Sequence, residues 1–477
     1  MATFFIQQFG CRATQADGAA LERQLLDRGC APASDPASAS IVILNTCTVT
    51  AAADAQARDA IRKLHAQNPS ACLIVTGCYA QRAPEELAAL PGVLHVVGNS
   101  HKPQIPELIT ARAAHSSSDF VRAGALIPDS ALPFHSLSDE SSSSTRAQIL
   151  TGDIFAHTHL LSAPLLGGEA GHTRPTLKIQ DGCNLRCSYC VIPYVRGKSR
   201  SLPPDAVIRE IQSLTSPESP HQAREIVLSG INLGIYGRDL TPRVELIDLL
   251  RRILGETSLD RLRLSSIEPQ DVTQDLIELF AGAERLAQHF HMPLQSGSDR
   301  ILAAMHRWYR TEHYARRVEL IRERLPHAAI GADVIAGFPG ESDADHEATL
   351  AFIERLPFTY LHVFSYSVRP GTPAASMPNQ VPAHIIKARA RQLRALSEAK
   401  SAAFRHSQLG RHLRVLTLRK GPATPGDATP ALSSNYLKLS VPGDCGPNRW
   451  LDIQVSFHNL AAFPASAVGE PVPSTSI

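Results

Sequence analysis

Residues 176–190 read TLKIQDGCNLRCSYC, and this stretch decides the fold. Thr176 to Ile179 predicts a short strand. The loop directly after it spaces Cys183, Cys187 and Cys190 as C-x3-C-x2-C. At this cysteine frequency, two further cysteines at fixed offsets arise by chance about once in 3,000 trials per cysteine, so the spacing asks for a chemical reason. Thiolates bind iron–sulfur clusters, and three in one tight loop can hold three irons of a cubane while the fourth lacks a protein ligand. That open iron can take a substrate or cofactor. Zinc is the alternative, but zinc sites usually supply four Cys or His ligands at other spacings, and His172 is the one histidine just upstream.

Working outward, a strand-and-helix alternation runs from Thr176 to about Phe404. Strands are expected at Thr176–Ile179, Glu225–Leu228, Arg261–Leu264, His289–Met292, Ile330–Ile335 and Leu361–Ser365, with helical stretches such as Asp205–Leu214 and Val244–Leu254 between them. Six parallel strands with intervening helices fit a complete or partial (β/α) barrel whose chemistry sits at the strand carboxyl ends. The same alternation fills Thr3 to about Pro106: strands at Thr3–Ile6, Ile41–Leu44, Leu73–Val75 and Val93–Val97, helices at Gly18–Arg28, Ala51–Gln67 and Pro84–Leu90. It predicts an open parallel α/β sheet. Residues 116–171 turn Ser-rich, as in Ser141–Ser144, and read as a linker or insertion. After a helical stretch at Ala383–Phe404, His412–Leu418, Asn435–Ser440 and Leu451–Ser456 alternate apolar and polar residues, predicting a small all-β module. The expected division is an α/β N-terminal sheet domain at 1–110, a linker at 111–172, a partial (β/α)6 barrel at 173–405 and the β module at 406–477.

The whole 477-residue chain is 43% hydrophobic and 19% charged, enough to bury a sizeable core. No apolar run approaches the roughly 18 residues of a membrane span, and the start lacks a signal-peptide pattern. A cytoplasmic protein without a membrane partner is expected, with a monomer as the default. Nine cysteines, an odd count, argue against a disulfide framework in that compartment. Three of them, Cys11, Cys47 and Cys78, each follow an expected strand of the N-terminal sheet. In an open parallel sheet the strand carboxyl ends line one crevice, so these three can converge on a second cluster; scattered core cysteines are the other reading. Cys30, Cys72 and Cys445 have no partner pattern and read as structural thiols.

Net charge is only +2, so affinity for nucleic acid must come from local clustering. Residues 387–420 supply it: ten Lys or Arg against Glu398 give +9, leaving −7 for the rest. A phosphate backbone partner would use Lys387, Arg389, Arg391, Arg394, Arg411 and Arg414; a solvated helix face with Ile386, Leu393 and Leu396 turned inward is the other reading.

The cysteine loop after a first barrel strand resembles the radical S-adenosylmethionine (SAM) superfamily. That resemblance implies a 4Fe-4S cluster on Cys183, Cys187 and Cys190 whose open iron chelates SAM and cleaves it to a radical. It places Tyr189 by the SAM adenine, Ser229-Gly230 by the amino group, and Gly337 of DVIAGFPG (Asp333–Gly340) near the adenine. Ser265, Glu268 and Gln295 stand at the barrel rim, either as cofactor contacts or as loop residues.

Gly10-Cys11, Asn45-Thr46-Cys47-Thr48-Val49 and Thr76-Gly77-Cys78-Tyr79-Ala80 resemble the N-terminal motifs of the methylthiotransferase family, in order. This implies a second 4Fe-4S cluster on Cys11, Cys47 and Cys78 that carries the sulfur to be inserted, and a terminal module placed like the family's RNA-binding TRAM domain. The stretches 230–237, 264–269 and 365–373 are most similar to the branch that modifies N6-threonylcarbamoyladenosine at position 37 of tRNA. Two SAM roles follow, methyl donor and radical source, with an electron donor such as flavodoxin or ferredoxin and no side-chain acid or base. Isopentenyladenosine 37 or a ribosomal-protein aspartate are alternative substrates; a non-catalytic zinc-stabilised RNA-binding protein is the alternative of another class.

Overall fold

The protein is described here by a computed structural model covering residues 2–109, 147–158, 160–165, 173–421 and 427–461. Most of the serine-rich stretch expected as a linker lies outside these residues. Two compact units emerge: Met1–Phe9, Ala20–Thr48 and Ala52–Ile154 form one, and Gly10–Ala19, Val49–Ala51 and Phe155–Ile477 form the other.

In the first unit, β1 (Thr3–Gln8), β2 (Ala31–Pro32), β3 (Ile41–Thr46), β4 (Cys72–Gly77), β5 (Val93–Gly98) and β6 (Gln148–Leu150) make one parallel sheet in the order β2-β1-β3-β4-β5-β6. β3 and β4 are buried along their whole lengths, as expected for central strands covered on both faces. The connecting helices are α1 (Arg12–Asp27), α2 (Ala51–Gln67), α3 (Cys78–Arg82) and α4 (Pro84–Ala88). α2 buries Ala57, Ile61 and Leu64, spaced at four and three, against Val42, Leu44 and Val75. β6 corrects the linker expectation: three residues are too few to show a period, yet they pair with His95–Val97 of β5. α1 also starts six residues earlier than its apolar pattern suggests, and its first turns, through Ala19, group with the second unit.

The second unit contains six parallel strands: β7 (Thr176–Lys178), β10 (Glu225–Ser229), β11 (Arg261–Leu264), β12 (His289–His291), β13 (Ala329–Ala336) and β14 (Tyr360–Ser365). The triplets β7-β10-β11 and β12-β13-β14 are joined by a parallel bridge, Ser266 to His291. A small antiparallel pair, β8 (Gln180–Asp181) with β9 (Arg200–Ser201), flanks the cysteine loop. Around the strands lie α5 (Ile192–Arg196), α6 (Pro204–Thr215), α7 (Leu246–Glu256), α8 (Gln274–Gly282), α9 (Asp299–Ala304), α10 (Thr311–Arg324), α11 (Asp343–Arg355) and α12 (Ala383–Ser407). Their apolar stripes, such as Val207, Ile211 and Leu214 on α6 and Leu246, Leu250 and Ile253 on α7, share one core with Ile226, Leu262 and Ile330. This is the expected partial (β/α)6 barrel.

The chain ends in β15 (His412–Thr417), β16 (Thr429–Ser433), β17 (Lys438–Val441) and β18 (Trp450–Gln454), an antiparallel sheet in the order β17-β16-β15-β18, followed by α13 (Phe457–Ala461). The all-β module is present, with two differences from the sequence reading. β16 was not expected, and the strand expected to open at Asn435 begins at Lys438, because Ser434 and Asn435 form the turn, closed by Tyr436 N donating to Ser433 O at 3.3 Å with Tyr436 at φ 62°.

An arginine-rich cluster lines the amino-terminal ends of β10 and β11. Glu225 is fully buried and meets Arg174 at 2.9 Å, Arg263 at 2.8 Å and Arg261 at 3.3 Å. The same two β11 arginines donate to main-chain oxygens of the terminal sheet: Arg263 to Ser433 O and Ser434 O, each at 3.0 Å, and Arg261 to Arg414 O at 2.9 Å and Leu432 O at 3.3 Å.

Candidate functional site

The cysteine loop leaves β8 through Gly182, whose φ of +72° lies in the left-handed region. A Cβ there would stand 2.0 Å from the main-chain oxygen of Lys198, which no side-chain adjustment relieves. Gly182→Ala is therefore expected to displace the Cys183 end of the loop. Iron content falls from about eight to about four per chain by the two-cubane count, as read by iron and sulfide analysis of anaerobically reconstituted protein.

Each turn of the loop is tied down by backbone: Cys183 N donates to Gly197 O at 3.1 Å, Ser188 N to Met305 O at 3.1 Å, and Ala374 N to Ser188 O at 2.8 Å. Side chains then address the sulfurs. Arg307 Nη1 lies 3.2 Å from Cys187 Sγ and Asn232 Nδ2 lies 3.9 Å from Cys183 Sγ. Burial pushes the Cys183 thiol up, and burial followed by the neighbouring Cys187 pushes the Cys190 thiol up to about 12. Three soft sulfur donors in a buried loop, with a guanidinium and an amide directed at two of them, fit an iron–sulfur cluster.

Asn232 Oδ1 and Ser265 Oγ, beyond the carboxyl ends of β10 and β11, are buried without a hydrogen-bond partner among the described residues, as polar atoms awaiting a ligand would be. Glu268 pairs with Arg307; burial raises its carboxyl against that cation. Tyr189 packs edge-on to Phe338, ring centroids 6.4 Å apart, beside Ile301 and Met305. Ser229 ends β10 in the buried strand and accepts Ile179 N at 2.9 Å through its backbone. Other expected contacts have structural reasons for their identity. Gly230 makes room for Gln180, whose Oε1 would lie 2.9 Å from an added Cβ, and Gln180 in turn holds Asn232 N at 2.8 Å. Gly337, φ +80°, faces Ile386 of α12 at 2.3 Å from a would-be Cβ. Gln295, φ 66°, forms a backbone bulge, its N donating to Asp333 O at 2.7 Å.

Arg307 and Asn232 were not singled out by sequence. Asn232 lies within the stretch 230–237 but was quoted only for the branch it resembles, Arg307 follows α9 with no motif of its own, and only the fold brings them to the sulfurs. The barrel wall holds a further group that sequence reasoning missed: His291, Asp333 and His362, on adjacent strands, bring their ligand atoms within 4.8 Å of one another. His291 Nε2 is 2.9 Å and His362 Nδ1 3.2 Å from Asp333 Oδ1, and His291 Nδ1 is 3.0 Å from Tyr360 Oη. Burial opposes the charge on Asp333, but His291, then His362, hold it below the ordinary carboxylate range.

In the first unit, β3 and β4 pair with Thr46 opposite Gly77, so Cys47 and Cys78 each come one residue beyond a shared rung of the sheet. Gly77, φ +103°, permits that approach: an added Cβ would lie 2.2 Å from Thr46 O. β1 neighbours β3, and the order β2-β1-β3-β4-β5 reverses direction there, the switch point at which open α/β sheets bind ligands. Cys11 follows β1 and is exposed, whereas Cys47 and Cys78 are buried.

The basic segment divides. Lys387, Arg391 and Arg394 are exposed on α12 at spacings of four and three, hence on one stripe. Arg389 corrects the expectation: it is 5% exposed and bonded to Glu341 and Asp343, each at 2.7 Å, so it fastens α12 to the barrel and is not free for phosphate. Arg411 is half-buried and donates to Gln408 Oε1 at 2.7 Å; Arg414 is exposed and lies 4.7 Å over the Trp450 ring.

Among the described residues no helix is long and apolar enough to cross a membrane. Two family descriptions match, an uncharacterised protein family, UPF0004, over residues 3–98 and the radical SAM superfamily over residues 177–353. The chain is 33% identical to the threonylcarbamoyladenosine tRNA methylthiotransferase of Aquifex aeolicus, over 92% of this chain and 96% of the relative. It is 35% identical to the enzyme of that name from Bacillus subtilis, over 83% and 81%. A tRNA-2-methylthio-N(6)-dimethylallyladenosine synthase of Syntrophobacter fumaroxidans is 34% identical, over 91% and 88%. By fold, the chain resembles a radical S-adenosylmethionine methyltransferase from Kitasatospora setae solved with cobalamin and a [4Fe-4S] cluster, at TM-score 0.54 and 17% identity, covering 79% of this chain and 74% of that one. With two cysteine-bearing α/β units and kinship running nearly end to end, the chain belongs to the radical-SAM methylthiotransferase family.

Proposed function

We propose that this enzyme inserts a methylthio group at C2 of N6-threonylcarbamoyladenosine at position 37 of tRNA. The observation that carries the reading is the placement of both cysteine triads beyond parallel strands: one in the tight loop that follows β7 and the short β8, the other after β1, β3 and β4. When bound, the two 4Fe-4S clusters and SAM supply radical and sulfur chemistry that an unactivated aromatic C–H bond requires and side chains cannot.

The chain's own residues position and shield. Cys183, Cys187 and Cys190 hold one cluster, with Arg307 and Asn232 directed at its thiolates; Cys11, Cys47 and Cys78 hold the other. Asn232 Oδ1, Ser265 Oγ and the Glu268–Arg307 pair offer the polar contacts for the amino and carboxylate ends of SAM, beside Tyr189. The stripe Lys387, Arg391 and Arg394, with Arg414 on the terminal sheet, meets the phosphate backbone, and binding weakens as salt rises. Trp308, 77% exposed next to Arg307, offers a ring on which an unstacked base can rest.

The substrate branch rests on the Aquifex and Bacillus relatives and on the stretches at 230–237, 264–269 and 365–373. Nucleosides from a deletion strain test it by mass spectrometry: 2-methylthio-threonylcarbamoyladenosine disappears, and the gene restores it. Persistence of that nucleoside with loss of 2-methylthio-isopentenyladenosine assigns the enzyme to the other tRNA branch, which the Syntrophobacter relative represents.

A further inference from the structure

Four charged side chains are buried where the first turns of α1 meet the root of the cysteine loop, all within the second unit. Asp17 pairs with Lys178 of β7 and, at 3.1 Å, with Arg196 of α5. Lys178 also reaches Asp181 at 3.0 Å, and Arg196 Nη1 bonds both Asp181 oxygens at 3.0 Å. None of the four side chains exceeds 7% exposure. Two carboxylates face one ammonium and one guanidinium, with Arg200 3.7 Å from Asp181, so the charges nearly cancel.

Both ends of this cluster lead to cysteines. Asp181 Oδ1 accepts Gly182 N at 2.8 Å, one residue before Cys183. Arg196 Nη2 donates at 3.2 Å to Thr14 Oγ1, which lies 3.6 Å from Cys11 Sγ. A buried charge cluster is a costly way to join two elements, since well-packed apolar residues often hold them as firmly; what ionic pairing adds is a fixed register. Here the register relates Cys11 to Cys183 along a path of five residues: Cys11, Thr14, Arg196, Asp181 and Cys183.

We infer that Thr14 and Asp17 are positioning residues that fix Cys11 relative to the SAM-cleaving loop at Cys183. This rests on the proposed reading of Cys11 as a cluster ligand. Radical transfer between separately bound groups depends steeply on alignment, and a 1 Å error can cost about 100-fold. Loosening the latch therefore uncouples the two halves of the reaction: SAM is still cleaved while transfer to tRNA fails.

The test compares reconstituted full-length wild type with Asp17→Asn, Thr14→Val and Thr14→Ser. Three quantities are read: iron per chain, the ratio of methylthiolated nucleoside to 5'-deoxyadenosine, and the spin–spin broadening between the two reduced clusters by electron paramagnetic resonance. That broadening falls with the third power of the distance and does not depend on the folded fraction. Thr14→Val is the milder, nearly isosteric change and keeps the test alive if Asp17→Asn does not fold. The expected result for Thr14→Val is wild-type iron, a product ratio lowered by about 100-fold and altered broadening, with Thr14→Ser restoring both. An unchanged ratio and unchanged broadening in folded Thr14→Val overturns the inference, as does a fall in all activities in proportion to folded protein. The underlying reading fails separately, if Cys11→Ala keeps a full complement of iron.

Discussion

Cys183→Ala is expected to abolish SAM cleavage, while Cys47→Ala continues to cleave SAM but makes no methylthiolated nucleoside. Each change removes one of three thiolates, so each variant retains about four irons per chain where the wild type holds about eight. The difference between them lies in which half of the reaction is lost. Cys183 sits in the loop addressed by Arg307 and Asn232, and Asn232 Oδ1 and Ser265 Oγ have no partner among the described residues. Cys47 lies one rung from Cys78 on the other sheet. Counting 5'-deoxyadenosine and product separately distinguishes the two. Cys445→Ala is the control: half-buried near Pro442 O at 3.9 Å, it belongs to neither triad, and its iron content and activity stay at wild-type levels. A Cys47→Ala enzyme that still makes product would end the two-cluster assignment.

The second large effect concerns stability. Glu225→Gln leaves Arg174, Arg261 and Arg263 around a neutral amide in a fully buried site, and breaking one partner of such a set costs about 3–5 kcal/mol. Denaturant unfolding at neutral pH measures it. Burial alone would raise the Glu225 carboxyl; Arg263, then Arg174 and Arg261, more than reverse this and hold it below the usual range. A carboxyl depressed in the folded state stabilises above its unfolded value, about 4.3, and that contribution is lost as pH falls through the folded value. The gap between wild type and Glu225→Gln is therefore widest above about pH 5 and narrows with acid below about pH 4. A gap independent of pH would show that the cost is steric.

How far the sequence carried this reading depends on the range of the interaction. α2 is legible to the residue because Ala57, Ile61 and Leu64 repeat at helical spacing, and β11 because Arg261–Leu264 is bounded by turn residues. The cysteine loop is legible because its three cysteines fall within eight consecutive residues. β16 was missed because Pro430 lies inside it; the strand tolerates proline since Pro430 precedes the rungs shared with β15, which run from Ala431 to Ser433. The start of α1 was missed for a different reason. Residues 12–17 show no apolar stripe of their own, and what holds them is Lys178 and Arg196, more than 150 positions away. Lys178 at the end of β7 and Gln180 at the start of β8, both buried and polar, were the available sign that polar partners had to meet them. Arg389 misled because a helical run of arginines does not say which face is inward; Glu341 and Asp343 decide that, and they belong to another element.

The terminal sheet meets the barrel arginines through main-chain oxygens of Arg414, Leu432, Ser433 and Ser434. A carbonyl is present whatever side chain is attached to it, so this attachment imposes almost no constraint on amino-acid identity at those positions. The module is then free to drift in sequence, and to retune which nucleic acid it touches, without letting go of the catalytic body, provided only that its strands keep their path.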